Sequence, residues 1–212
     1  MAGIIRSRQT MLISINQQNP QTRLIKRAVE TLRNGGIIIY PTDTVYGMGC
    51  DLFNKRGIER IYEIKRRSHK QPFSFICADL KDISRYALVS NYAYKTMKRL
   101  LPGPYTFILE ASRMVPKLLQ SKRQTTGIRV PDSRICLTLV SELGHPIIST
   151  SAAVADEEIL SDPEEIDKKF GRVVDLVIDG GILPPELSSV VSLVDDVPEV
   201  LRAGKGDVSE FQ

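Results

Sequence analysis

The chain has 212 residues, 42% of them hydrophobic and 25% charged, which supplies material for one core and gives weak grounds for a second domain. We therefore expect a single domain over residues 1–212, with residues 1–10 as a loose tail. The 29 Lys and Arg against 25 Asp and Glu give a formal charge of +4, which favours anionic partners. A slightly basic enzyme has the same balance, so charge alone does not identify the partner.

The composition argues against a membrane protein and against a metal or disulfide framework. No apolar run approaches the ~20 residues of a transmembrane helix, and the first ten residues lack a signal-peptide core, so we expect a cytoplasmic protein without membrane contact. Three widely spaced cysteines form no C-x-x-C pair, which favours a reducing compartment. His69 and His145 are also far apart, so the sequence predicts no metal site and no Ser-His-Asp triad.

The first half of the chain predicts two helices and two strands. Asn19-Pro20 reads as a cap and first-turn proline, and apolar residues then recur at helical spacing until Asn34. Ile37–Tyr40 is a short apolar run that suits a buried strand. A second helix follows from about Lys55, and a further strand is predicted over Phe73–Cys77.

From residue 80 onward, strands and helices alternate less regularly. Helices are predicted over Leu80–Ala87, Tyr92–Leu101, Ser133–Leu143 and Pro163–Phe170, the last with Asp162 as its cap. Strands are predicted over Tyr105–Leu109, Gly127–Val130, Pro146–Ser149, Val174–Ile178 and Ser189–Val194. Interleaved strands and helices favour an α/β layer fold. Because no clear helix separates the last two strands, we expect a twisted mixed sheet with helices on its faces.

Neither G-x-G-x-x-G nor G-x-x-x-x-G-K-[ST] occurs, so a phosphate site must be built in another way. Four segments have the hydroxyl groups and cations that such a site requires. They are Pro41–Gly47, Lys65-x-Arg67, Thr125–Pro131 and Ser149–Ala153. Each also has a plain structural reading: a capped turn, cations opposing a helix dipole, an inward arginine paired with a structural carboxylate, and an ordinary turn.

The order of these and three other segments resembles the YrdC/YciO family. The segments that carry the resemblance are Pro41–Gly47, Lys65-x-Arg67, Pro102-Gly103-Pro104-x-Thr106, Arg129-Val130-Pro131, Ser149–Ser151, Ser188–Val191 and Leu201-Arg202-x-Gly204. The resemblance runs from about Leu12 to Gly206. It implies a mixed α/β sheet with a basic concave surface.

Members of this family include L-threonylcarbamoyladenylate synthases, which make threonylcarbamoyl-AMP from L-threonine, bicarbonate and ATP for tRNA modification. Others are described as double-stranded RNA binders. The resemblance therefore implies ATP as a substrate with Mg²⁺, L-threonine and bicarbonate as co-substrates, and tRNA or double-stranded RNA as a further partner. Three hypotheses stay open: a nucleotidyltransferase, a non-catalytic RNA-binding protein, and a maturation or ribosome-associated factor with neither activity in isolation.

The resemblance also assigns site residues. Thr42, Thr44 and Arg129 would bind the amino acid, and Lys65, Arg67 and Arg129 would be catalytic, surrounding a common anion. The nucleotide and its phosphates would contact a larger set, namely Lys65, Arg67, Gln71, Thr125, Ser149, Ser151, Ser188 and Arg202. Fixed cations and hydroxyl donors can stabilise the charge of phosphoryl transfer without a protein nucleophile.

Two positions depart from the synthase pattern. The synthases carry an asparagine two residues after the serine of a Ser-x-Asn motif, where this chain has Ala153. They often carry a histidine in the strand after the K-x-R segment, where this chain has Ile76. Both departures indicate the YciO branch of the family.

Overall fold

The computed structural model describes residues 11–66, 68, 73–119, 121–153 and 158–212. The predicted tail, residues 1–10, lies outside the described residues. The strands among them are β1 (Met11–Ser14), β2 (Ile38–Tyr40), β3 (Gly47–Gly49), β4 (Ser74–Ile76), β5 (Tyr105–Glu110), β6 (Thr125–Arg129), β7 (Ile147–Ser151), β8 (Leu176–Asp179), β9 (Ser189–Ser192) and β10 (Glu199–Arg202). The α-helices are α1 (Thr22–Arg33), α2 (Lys55–Lys65), α3 (Leu80–Tyr86), α4 (Asn91–Leu100), α5 (Arg134–Leu143) and α6 (Pro163–Phe170).

The ten strands form one mixed sheet in the order β1-β8-β2-β3-β7-β4-β6-β5-β9-β10. Parallel neighbours are β1–β8, β2–β8, β4–β6 and β5–β9, and the other neighbouring pairs are antiparallel. The prediction of a mixed sheet is confirmed. β8 and β9, which lack a helix between them, lie far apart in the sheet rather than side by side.

Side-chain caps fix the beginnings of most helices. Asn54, Asp79, Ser90, Ser133 and Asp162 each accept a hydrogen bond from a backbone N–H of the first turn, which satisfies a donor that has no partner inside the helix. The cap predicted at Asp162 is confirmed.

The predicted beginning of α1 is wrong by about two residues. The helix begins at Thr22, its N-cap is Gln21, and no side chain caps it. Asn19 instead donates its backbone N–H to the side chain of Asn16 in a turn before the helix.

One face of the sheet is covered by four helices. Apolar residues of α2, α3, α4 and α6 pack there against the inward side chains of the central strands, among them Phe75, Phe107, Ile128, Ile148 and Val191. None of the helices among the described residues is both long and apolar enough to span a lipid bilayer.

The opposite face is covered only in part. α1 and α5 pack together over Ile38, Tyr40 and Ile178 of β2 and β8, and also over the paired residues Ile76 and Ile147 at one end of β4 and β7. The rest of this face, formed by the other end of β7 and β4 and by β6, β5, β9 and β10, is largely polar and partly accessible. We call it the open face.

Candidate functional site on the open face

Strand register defines which side chains share the open face. Ser74 of β4 pairs with Gly127 of β6 and with Ser149 of β7, while Ile76 pairs with Arg129. Residues paired side by side across a sheet point to the same face, and every second residue of a strand does too. The open face therefore carries a row of hydroxyl groups and two arginines, which are Ser151, Ser149, Ser74, Thr125, Thr106, Ser188, Arg129 and Arg202.

Arg129 lies at the carboxyl end of β6 and contacts the loop between β2 and β3. Its Nη2 donates to the hydroxyl of Thr44 at 2.7 Å and lies 3.3 Å from that of Thr42. The same nitrogen forms an ion pair with Asp43. The structure thus brings together the three residues predicted to bind the amino acid, with Asp43 as an additional partner.

The two threonine hydroxyls already take part in hydrogen bonds within this loop. Thr42 Oγ1 donates to the carbonyl of Val45 at 2.6 Å and accepts from the N–H of Thr44 at 3.1 Å. The two hydroxyl oxygens lie 3.1 Å apart. These bonds shape the 41–46 loop and hold the guanidinium of Arg129 against it.

The Asp43–Arg129 pair is buried and incompletely bonded. Its side chains are 9% and 10% exposed, and among the described residues neither Asp43 Oδ2 nor Arg129 Nε has a hydrogen-bond partner. Buried polar atoms without a partner are rare and costly, at about 1–3 kcal/mol each. Each residue of the pair therefore keeps one buried atom that could form a further hydrogen bond.

Lys65, the last residue of α2, extends its ammonium group to the end of β7. Its Nζ donates to the carbonyl of Ser151 at 2.8 Å and to that of Ala153, and lies 3.4 Å from the hydroxyl of Ser151. The residue is 4% exposed. A buried ammonium needs such acceptors, and the turn after β7 supplies them from its backbone.

Ser149 and Thr125 are bonded locally. Ser149 Oγ accepts from the hydroxyl of Tyr40 at 2.7 Å, and burial raises the pKa of that tyrosine far above its ordinary value. Thr125 Oγ1 lies 2.7 Å from Ser121 Oγ. Both serve as anchors for their strands in this conformation.

Ser188 and Arg202 form a second group at the β9 and β10 end of the open face. Arg202 donates from Nε to the carbonyl of Ser188 at 3.0 Å and from Nη2 to its hydroxyl at 3.1 Å. That hydroxyl also lies 3.0 Å from Thr106 Oγ1. Ser188 is buried, whereas Arg202 is exposed.

Lys205 connects the two groups and was not predicted. Its Nζ donates to the carbonyl of Asp43 at 2.6 Å, and its backbone N–H to the carbonyl of Leu187 at 2.9 Å. The residue follows Leu201-Arg202-x-Gly204 by one position, so its closeness to that segment was the available signal. The 41–46 loop and the loop after β10 therefore meet at one edge of the site.

Tyr46 anchors the 41–46 loop on its other side. Its hydroxyl donates to the carbonyl of Gly181 at 2.7 Å and accepts from the N–H of Gly180 at 3.0 Å. Burial raises the pKa of Tyr46 to about 12, against a smaller lowering by the hydrogen bond from Gly180. The tyrosine thus stays protonated and keeps its donor.

Of the three residues predicted to be catalytic, two lie among the described residues, and each of these has its own protein partners. Arg129 is paired with Asp43, and Lys65 is bonded to carbonyl groups at the end of β7. Arg67, like Gln71 of the predicted phosphate set, lies outside the described residues. An anion shared by Lys65 and Arg129 would require both to exchange partners, so the common-anion arrangement stays a prediction.

The two departures from the synthase pattern have clear positions. Ile76 is fully buried in the core beneath α1 and α5, where a histidine would need polar partners. Ala153 donates its N–H to the carbonyl of Ser151 at 2.9 Å in the turn after β7. Its own carbonyl accepts from Lys65, so this position contributes backbone atoms only.

Among the described residues, no group of three or more His, Cys, Asp or Glu is arranged to hold a metal ion. The cations and hydroxyl groups of the open face are side chains of the kind that contact phosphate oxygens in proteins.

Comparison with known proteins gives one family match and several close relatives. The Sua5/YciO/YrdC family model, described as telomere recombination, matches residues 30–204. The YciO protein of Escherichia coli K12, itself uncharacterised, is 45% identical over 199 residues, which cover 93% of this chain and 97% of that protein. Its crystal structure superimposes with a TM-score of 0.92 over 96% of this chain and 100% of the other.

More distant relatives include named synthases. The threonylcarbamoyl-AMP synthase of Vibrio vulnificus is 31% identical over 161 residues, covering 74% of this chain and 87% of the enzyme. The Sua5 protein of P. abyssi, crystallised with L-threonine, is 27% identical with a TM-score of 0.89, covering 95% of this chain and 59% of that one.

Proposed function

The chain belongs to the Sua5/YciO/YrdC family and lies close to YciO, and on that basis we propose that it is an L-threonylcarbamoyladenylate synthase. It would join L-threonine, bicarbonate and ATP into threonylcarbamoyl-AMP, the intermediate of a tRNA modification, in the cytoplasm. The observation that carries this proposal is the open face, where hydroxyl groups lie between Arg129 and Arg202. Relatives that bear the synthase name share the fold and most of the chain length.

The reaction class fits this set of side chains. The amino group of L-threonine and bicarbonate condense to a carbamate with loss of one water molecule, and an oxygen of this carbamate attacks the α-phosphorus of ATP. A new P–O bond forms, and the bond to the leaving pyrophosphate breaks. Two anions approach each other in this step, so cations and hydroxyl donors that neutralise phosphoryl charge are the main requirement. Magnesium would enter as the complex with ATP, a substrate.

The residues would have three roles. Thr42, Thr44 and Arg129 would receive the amino acid, while Ser188 and Arg202 would contact the nucleotide. Lys65, Arg67 and Gln71 would reach the phosphates, beside Thr125, Ser149 and Ser151. The charge of these cations would make the face basic, as the resemblance implies.

The decisive measurement is pyrophosphate release by the folded protein. We expect release that requires L-threonine, bicarbonate and the magnesium complex of ATP together. Arg202→Ala should lower the rate by about 10- to 100-fold, because a charged donor near the phosphates is lost. Arg172→Ala is the matched control, since this exposed arginine follows α6 on the opposite face, and its rate should equal that of the wild type.

The outcome that would contradict the proposal is no pyrophosphate from folded protein with all substrates present. One observation favours the alternative of a non-catalytic double-stranded RNA or tRNA binder: both described catalytic candidates are occupied by protein partners. Calorimetric titration separates the two hypotheses. ATP binding that L-threonine strengthens supports the enzyme, whereas RNA binding that weakens steeply with salt, without turnover, supports the alternative.

A further inference from the structure

The contact with Asp43 uses only part of the hydrogen-bonding capacity of the Arg129 guanidinium. Three acceptors surround the single nitrogen Nη2, namely Asp43 Oδ1 and the hydroxyls of Thr42 and Thr44. Nη2 carries two hydrogens, so it cannot bond fully to all three. The neighbouring Nε–H is buried and has no partner among the described residues.

Only one of the two carboxylate oxygens of Asp43 forms a hydrogen bond within the described residues. Oδ1 accepts from Arg129, whereas the buried Oδ2 has no hydrogen-bond partner in the part of the chain that the structure describes. An arginine and a carboxylate normally prefer two parallel N–H···O bonds, which give both bond strength and geometry. Asp43 therefore makes a single-point contact where a two-point contact is chemically available.

The carboxylate of a ligand could form the two-point contact with Arg129 that Asp43 does not form. A ligand is not tied to the 41–46 loop, so its two oxygens could accept from Nε and Nη2 at the same time. The backbone of that loop is fixed by Thr42, Tyr46 and Lys205. The side chain of Asp43 is 9% exposed, so the exchange would require this side chain to rotate away from Arg129 while the loop backbone stays in place.

We propose that Asp43 is a positioning residue that occupies Arg129 until the carboxylate of a ligand replaces it. The exchange would keep the arginine paired at every stage, since an unpaired buried charge is strongly unfavourable. It would also make the site selective, because a ligand without a carboxylate has nothing to exchange for Asp43. The proposal relies on the proposed function only for the identity of the ligand, the carboxylate of L-threonine.

Binding measurements with Asp43→Asn test the exchange. This variant keeps the size of the side chain and an acceptor oxygen but removes the competing charge. A ligand binds with lower apparent affinity when only a fraction of the protein is ready to bind it. Removal of the Asp43 charge should therefore tighten L-threonine binding by about tenfold. L-Threoninamide, in which an amide replaces the carboxylate, should bind both proteins equally.

Asp132→Asn is the matched control. This aspartate is exposed and lies three residues after Arg129, so its replacement changes the local charge equally without touching the pair. We expect unchanged L-threonine affinity in this variant. Equal tightening in both variants, or Asp43→Asn binding that is weakened or unchanged, would overturn the proposal.

A second measurement needs no Asp43 variant and holds even if that variant does not fold. The Arg129 Nε–H signal, identified in NMR spectra by its loss in Arg129→Lys, should shift on addition of L-threonine and not of L-threoninamide. Propionate at high concentration serves as a carboxylate without an amino group. No shift with either carboxylate would overturn the exchange.

These readouts separate the two proposals. A shift with propionate but no response to L-threonine would retain the exchange and reject the amino-acid substrate. Pyrophosphate release that depends on L-threonine, with an unmoved Arg129 signal, would retain the synthase and reject the exchange.

Discussion

The Asp51–His145 pair joins the residues after β3 to those before β7. His145 Nε2 lies 2.9 Å from Asp51 Oδ1, and its ring packs 5.0 Å from that of Phe53. Partial burial raises the pKa of Asp51, but the hydrogen bonds from His145 and from the N–H of Phe53, with the charge interactions of His145 and Arg33, leave the pKa below its ordinary value. The folded state therefore favours the ionised carboxylate.

The lowered pKa of Asp51 predicts a loss of stability in acid. A carboxyl group with a lower pKa in the folded state stabilises the fold above its unfolded pKa, about 3.9, and this contribution disappears as the pH falls through the folded pKa. Wild type should exceed Asp51→Asn in free energy of unfolding at pH 7, and the difference should shrink at pH 3. Urea unfolding at the two pH values measures it, and a difference that grows in acid would contradict the assignment.

Single residues also show where sequence reasoning stops. The sequence placed Arg129 in an apolar strand and required an anionic partner, either a ligand or a structural carboxylate. Asp43 is that carboxylate, yet it lies 86 positions away. No local pattern gives the pairing of a loop residue with a residue at the end of a distant strand.

Elements with strong periodicity were predictable, and three strands were not. β3 reads Gly47-Met48-Gly49, and glycine is disfavoured in strands, so local propensity gives no signal. β1 and β10 lie at the two edges of the sheet, where half-exposed residues such as Leu12 and Leu201 weaken the apolar pattern. The hydroxyl row of the open face depends on register between distant strands, which a single sequence does not contain.

The glycines of β3 have a packing role that predicts a measurable cost. A Cβ on Gly49 would lie 2.2 Å from the backbone oxygen of Ile148 and 3.2 Å from the ring of Tyr40. Gly49→Ala should therefore destabilise the protein by about 1–3 kcal/mol or more, because backbone of the neighbouring strand must move.

Met48→Leu in the same strand is the control for that variant. It nearly conserves volume and should cost less than about 1.5 kcal/mol. Denaturant unfolding of the two variants measures the contrast. Equal stability of both would show that the strands separate easily at this position.

At the scale of the whole molecule, the three cysteines report on the integrity of the core. Cys50, Cys77 and Cys136 are free thiols and fully buried. Burial raises the pKa of all three, that of Cys136 to about 12. Because the thiolate is the reactive form, the native protein should not react with a thiol reagent at pH 8.

Absorbance after addition of an aromatic disulfide reagent checks this directly. We expect negligible colour from native protein and three thiols per chain after unfolding in guanidinium. Rapid reaction of one thiol in the native state would indicate that part of the core opens readily.

The incomplete helical cover of the second face has a mechanical consequence. Part of the sheet lies between two layers of helices, and over the described residues the remainder has helices on one side alone. Molecules from solvent can thus approach the uncovered strands at right angles to the sheet plane. A ligand can reach these strands when side chains and loops rearrange, without movement of the helices.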